Sequence, residues 1–136
     1  MRSGLVATVK ILVDTHVFLW WESAPEHLSA TGLAILTDLQ NTILLSIASI
    51  WEIQIKISLG KLALTEMLPV VVERQIGINQ VQILPIALDH IYALSQLPDH
   101  HRDPFDRLLI AQAMRESVPI LTADSAYTQY PVSTIW

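Results

Sequence analysis

Along this chain the apolar positions fall into short unbroken runs, separated by longer stretches in which they recur every three or four residues. Residues 9–13 are apolar except at Lys10, the pattern of a strand buried on both faces of a parallel sheet. Residues 42–46 (TILLS) make a second such strand, 81–86 alternate toward a third, 119–122 form a fourth, and 132–135 are a candidate last edge strand. Helical periods lie between them. Leu33, Leu36 and Leu39 mark one face of a helix over 29–39, and 47–59 reads as a helix stopped by Gly60. Residues 65–80 form another, with Pro69 near its start, and 88–97 run helical up to Pro98. Residues 104–117 are apolar on nearly every face, as in a helix buried inside a domain. Strands alternating with helices predict right-handed crossovers and a mainly parallel sheet covered on both sides. The expected fold class is therefore α/β, in α/β/α layers.

Composition narrows the picture. At 136 residues, with no repeat, low-complexity tract or linker, residues 1–136 read as one domain with a single core. The hydrophobic fraction of 51% and mean hydropathy of +0.42 are high for so short a chain, which predicts that a partner covers part of the apolar surface. No run approaches the ~18 apolar residues of a membrane span. Cysteine is absent, so there is no disulfide framework or thiolate metal site, in keeping with a reducing cytoplasm. The start, MRSGLVATVKILVD, lacks an export-cleavage pattern and reads as mature, cytoplasmic sequence. A net charge of −5 argues at first against a nucleic-acid partner.

That charge is not spread evenly. In an open α/β sheet, ligands bind beyond the carboxyl ends of the strands, and carboxylates are expected there. Asp14 ends the first strand, Glu52 lies early in the helix after the second, Asp103 and Asp106 open the buried helix, and Asp124 follows the fourth strand. Each has a local explanation. Ser49-x-x-Glu52 has the form of a capping box, Asp103-Pro104-x-Asp106 that of an N-cap with its first turn, and Asp14 and Asp124 suit turns or caps. For any one acid the local role is the commoner. Together they differ, because parallel strand order brings them into one cleft, where carboxylates repel unless a hard cation such as Mg²⁺ or Mn²⁺ lies between them. If Asp14, Glu52, Asp106 and Asp124 surround cations, the remaining nine acidic residues face eight basic ones, and the charge objection weakens.

The stretches carrying these acids, ILVDTHVFLWW, LLSIASIWEIQIKISLGKL, LPDHHRDPFDRLLIAQA and ILTAD, resemble the PIN-domain family, and within it the VapC-type toxins of type II toxin–antitoxin modules. They span residues 11–124 in the family's order. DTH alone is weak; S-x-x-S-x-W-E-I with D-P-F-D-R-L-L-I-A-Q-A at this separation is specific. The resemblance implies a PIN-like α/β/α sandwich and a Mg²⁺- or Mn²⁺-dependent endoribonuclease whose acidic tetrad falls on Asp14, Glu52, Asp106 and Asp124. Asp103 is an additional candidate ligand or a cap. It also implies an RNA substrate, a cognate antitoxin and a homodimer. Residues 1–8 form an N-terminal extension beyond the family's usual start.

Chemically, Asp14 and Asp106 would be the most direct ligands, completed by Glu52 and Asp124 directly or through water, with water activated for in-line attack on phosphorus. Thr15, Ser46 and Thr122 place hydroxyls near the strand ends and are candidate supports. Lys56, four residues after Glu52, could hold that acid or meet a phosphate. Arg107 is placed to pair with Asp103 and, like His101, is a candidate RNA contact. A zinc site at His100 and His101 lacks a third nitrogen ligand at a recognisable spacing. Trp20, Trp21 and Trp51 read as core or interface residues more readily than as base-stacking platforms, with Trp51 packed on the sheet. Two rivals stay open. A haloacid-dehalogenase-like phosphatase wants an Asp two residues after Asp14, where His16 stands, and a downstream lysine, whereas Lys61 is the last. A PIN-like interaction module without catalysis would show no metal-dependent stabilisation.

Overall fold

The computed structural model describes residues 8–99 and 103–136. Its elements are β1 (Lys10–Val13), α1 (Thr15–Ser23), α2 (Ala30–Thr37), β2 (Thr42–Ser46), α3 (Ile47–Ser58), α4 (Leu68–Asn79), β3 (Gln82–Leu84), α5 (Leu88–Ala93), α6 (Pro104–Glu116), β4 (Ile120–Leu121) and β5 (Thr134–Ile135). Short 3₁₀ turns follow α1, α5 and β4. The strands form one sheet in the order β3-β2-β1-β4-β5, with every pairing parallel. Among the described residues no helix is long and apolar enough to cross a membrane.

Alternation along the strands divides the core in two. Leu12, Leu44 and Ile120 point to one face and meet α5 and α6; Ile11, Val13, Ile43, Leu45 and Leu121 point to the other and meet α1, α2, α3 and α4. This is the three-layer α/β arrangement expected from the pattern. Helix α6 is the most enclosed, with Leu108 through Ala113 all buried. The apolar pattern does not predict α1, because Val17, Phe18, Leu19, Trp20 and Trp21 run together without a clear helical stripe. Asp14 and the hydrogen bonds it accepts start that helix instead.

Several boundaries and faces shift from expectation for local reasons. Helix α4 starts at Leu68 rather than 65, since Pro69 is tolerated only in the first turn. On α2 the expected face of Leu33, Leu36 and Leu39 is wrong: Leu36 is buried with Gly32, while Leu33 and Leu39 are exposed. Helix α3 is capped by Ser46, whose side chain accepts from the Ala48 N–H. Ser49 and Glu52 therefore do not form the expected capping box, and Glu52 lies in the second turn.

Truncation should register this asymmetry. Leu109→Ala, at a fully buried position of α6, is expected to cost roughly 2–5 kcal/mol in urea denaturation. Leu39→Ser, exposed just beyond the end of α2, should change stability by less than about 0.5 kcal/mol. A large loss at Leu39 would contradict the burial described here.

Candidate active site

The chain runs outward from β1 to β2 and β3, then returns to lay β4 and β5 on the opposite side. The connections thus diverge between β1 and β4, and a crevice opens beyond the carboxyl ends of those strands. Asp14 is the residue after β1. Its N–H donates to the Leu121 carbonyl at 3.1 Å, joining the ends of β1 and β4. Its carboxylate is buried and accepts from the Val17 N–H at 2.7 Å and from the Thr122 hydroxyl. Thr122 in turn accepts from the Asp124 N–H at 3.0 Å, so one hydroxyl links the first and fourth acids. Burial pushes the Asp14 carboxyl above its ordinary value; the Thr122 and Val17 hydrogen bonds and His16 oppose this, and Asp124 adds a smaller upward push. Desolvation, not the mutual repulsion of carboxylates expected from the sequence, is the main cause.

Asp106 occupies the third position of α6, after the Asp103 cap, whose Oδ1 accepts from the N–H groups of Phe105 at 2.8 Å and Asp106 at 3.2 Å. The Asp106 carboxylate accepts from the phenol of Tyr127 at 2.7 Å. Burial raises the Tyr127 pKa far above its usual range, and the negative charges of Asp106, Asp14 and Asp124 raise it further. The phenol therefore stays a donor, and it marks the spot where the fields of three acids meet. Asp124 caps the following 3₁₀ turn by accepting from the Ala126 N–H at 2.9 Å.

On α3, Ser49 accepts from the Thr15 hydroxyl at 2.9 Å, a buried contact joining α1 to α3 beside Asp14. Glu52 lies one turn further along the same face. It is buried, and Lys56 Nζ stands 3.0 Å from its Oε2. Its Oε1 is buried and has no hydrogen-bond partner among the described residues. Ser46 donates its hydroxyl to Gln112 of α6 and accepts from the Ala48 N–H. Arg107 donates to the carbonyls of Pro98 at 2.8 Å and Leu94 at 3.3 Å, clamping the chain ahead of α6. His100 and His101 lie outside the described residues.

A cavity of about 280 Å³ opens at this edge, lined by Asp14, His16, Trp20, Ala123 and Asp124. His16 and Tyr127 are functional candidates that the sequence reading did not single out, and it took Trp20 for core or interface and Ser49 for a cap. For His16 a signal was present, since it stands four residues before Trp20 on α1; Tyr127 reaches Asp106 only through the tertiary fold. Trp51 is corrected outright. It is exposed, stands edge-on to Phe105 at 5.1 Å between ring centroids, and does not pack on the sheet.

Among the described residues no three His, Cys, Asp or Glu side chains gather closely enough to hold one metal ion. Each acid is instead held by a neighbour: Asp14 by Thr122, Asp106 by Tyr127, Glu52 by Lys56. The donor set still fits a hard divalent cation. Every candidate ligand is a carboxylate oxygen, and the unpartnered Glu52 Oε1 and the desolvated Asp14 carboxylate are groups that a cation would satisfy.

The family model of the PIN domain matches residues 11–132, and the chain belongs to the PIN-domain family. A chain of VapBC2 from Rickettsia felis, solved bound to a DNA fragment from its promoter, superposes with a TM-score of 0.72 at 16% identity, covering 94% of this chain and 99% of that one. A chain of FitAcB from Neisseria gonorrhoeae gives 0.65 at 19% identity, covering 93% and 96%. A chain of a toxin–antitoxin complex from Klebsiella pneumoniae gives 0.57 at 15% identity, covering 93% and 96%. At these identities the likeness is one of fold. No curated protein sequence matches the chain.

The raised Asp14 pKa has a definite sign for stability. The cost of burying its charge is absent below the ordinary value of 3.8, where the group is protonated folded or unfolded. That cost grows as pH rises from 3.8 toward the raised folded value and is fully present above it. Metal-free Asp14→Asn protein should therefore melt higher than wild type at neutral pH, with the gap closing as pH falls toward 3.8. Thermal melts across pH in EDTA test this; a variant that melts lower at neutral pH would contradict it.

Proposed function

We propose that the chain is a metal-dependent endoribonuclease that hydrolyses RNA phosphodiester bonds at Asp14, Glu52, Asp106 and Asp124, with Mg²⁺ or Mn²⁺ held among them. The observation that carries this reading is the buried Glu52 Oε1, left without a partner at the acidic edge of a PIN domain. Asp103 acts as the cap of α6 and positions Asp106. The chemistry such a cation supplies is the acidification of water and the neutralisation of charge growing on the phosphoryl oxygens. The chain's own residues set the geometry. Thr122 holds the Asp14 carboxylate and, through the Asp124 N–H, the turn bearing the fourth acid. Tyr127 orients Asp106 by donating its phenol hydrogen to one carboxylate oxygen. Lys56 balances Glu52 in the absence of cation and lies near enough to meet a phosphate when Glu52 is engaged.

The toxin reading follows from the VapC-type motifs and is supported by the likeness to a chain of a toxin–antitoxin complex. It assigns a cytoplasmic protein, one domain over residues 1–136, a cognate antitoxin and a homodimer. The groove of Ile50, Trp51, Leu68, Pro69 and Val72, with Met67 and Val70 exposed nearby, supplies apolar surface for such partners. A second reading, a PIN-like module without catalysis, draws on the absence of a ready three-ligand cluster among the described residues.

Purified protein incubated with a mixed RNA pool in Mn²⁺, Mg²⁺ or EDTA separates the two. Cutting should need the metal and be lost in Asp106→Asn and Asp14→Asn, with both variants folded. Mn²⁺ should raise the melting temperature of wild type, by an amount corresponding to about 2.7 kcal/mol at a hundredfold excess over its Kd, and should not raise that of Asp14→Asn. Folded protein that neither cuts RNA nor gains stability from Mn²⁺ would support the non-catalytic module. Tyr127→Phe is expected to keep the fold and lose most of kcat, since Asp106 is then no longer oriented.

A further inference from the structure

One cavity combines two chemistries that a metal site alone does not need. Its lining holds two carboxylates, Asp14 and Asp124, and the indole of Trp20. Trp20 is half-buried and held on several sides. His27 stacks on it at 5.6 Å between centroids and 18° between planes, Trp136 leans against it at 5.9 Å, and His16 stands 6.2 Å away. Trp136 also lies over Gly32 of α2, where a Cβ would stand 3.4 Å from its ring, at ordinary contact, and a tighter 3.1 Å from Ser29 Oγ. The indole is thus fixed before any ligand arrives, which lowers the entropy lost on binding. An indole is no ligand for a cation and no donor fork for a phosphate. With a divalent cation held by the two carboxylates, its place suits a ligand that is a flat ring tied to an anion.

We propose that this cavity is a nucleobase subsite, in which Trp20 stacks one base of a single-stranded RNA whose neighbouring phosphate lies at the acids. The inference rests on the ribonuclease reading and adds its substrate form. At about 280 Å³ the cavity falls just below the ~300 Å³ of sites that enclose drug-sized ligands, room for one planar ring system and its sugar. Every base offers a π-face, so the subsite accepts all four, with preferences from stacking strength alone. A base inside a duplex has both faces covered and reaches the indole only by leaving the stack, which disfavours paired RNA.

The test is equilibrium binding of a labelled single-stranded RNA pool and of a matched duplex, with Ca²⁺ as the divalent cation to limit cleavage. Wild type, Trp20→Phe, Trp20→Leu and Ala123→Leu are compared, the last putting a larger side chain into the cavity lining. Trp20→Leu and Ala123→Leu should weaken single-strand binding at least about fivefold, the equivalent of ~1 kcal/mol. Trp20→Phe should retain binding within about twofold, duplex binding should be insensitive to all three, and Mn²⁺-dependent stabilisation should be unchanged in Ala123→Leu. Single-strand binding that survives both Trp20→Leu and Ala123→Leu overturns the subsite while leaving the ribonuclease reading intact; a cavity that serves a protein partner gives this result. Trp20→Phe as weak as Trp20→Leu also overturns it, since stacking tolerates either ring. Wild type that binds no RNA with any divalent cation removes the ribonuclease reading itself.

Discussion

The burial of one carboxylate, that of Asp14, organises this molecule. The residue terminates β1, starts α1 and joins the end of β1 to the end of β4 through the Leu121 carbonyl. A buried anion is costly unless its lone pairs are satisfied, and here they draw in the Val17 amide and the Thr122 hydroxyl. Because Thr122 also accepts from the Asp124 amide, satisfying Asp14 fixes the turn that carries the fourth acid. The central strand pair, the start of the first helix and the acidic edge are therefore one connected arrangement.

A second set of polar contacts works from the helices. Thr15 to Ser49 ties α1 to α3, Ser46 to Gln112 ties the start of α3 to α6, and Tyr127 to Asp106 ties the last turn to the start of α6. These side chains are largely withdrawn from water, where an unmade hydrogen bond costs more than a made one contributes. Each contact therefore acts as a register mark between apolar layers that could otherwise slide. Among the described residues the same layers leave one buried side-chain atom without a partner, Glu52 Oε1.

Much of this was legible in the residue pattern. Buried parallel strands are continuous apolar runs, so β1, β2 and the enclosed α6 were clear. Strand ends, where ligands gather, could be searched for acids by position alone. What the pattern hid has physical causes. Helix α1 escaped because its apolar residues crowd together, one set facing the core and another, with Trp20, facing a cavity. The α2 face was misjudged because Gly32, not a leucine, meets the tryptophan at the chain end. Ser49 and Glu52 imitate a capping box in sequence, yet Ser46 takes the cap three residues earlier.

The sequence by itself determined the α/β class, the order of its strands and the family, because periodicity, capping chemistry and motif spacing are local properties of the chain. Which groups meet was settled only by the tertiary structure. Thr122 reaches Asp14 across 108 positions, Tyr127 reaches Asp106 across 21, and Trp136 reaches Trp20 from the far end of the chain. Contacts of that kind depend on how sheet order and helix packing fold distant segments together, and no local spacing encodes them.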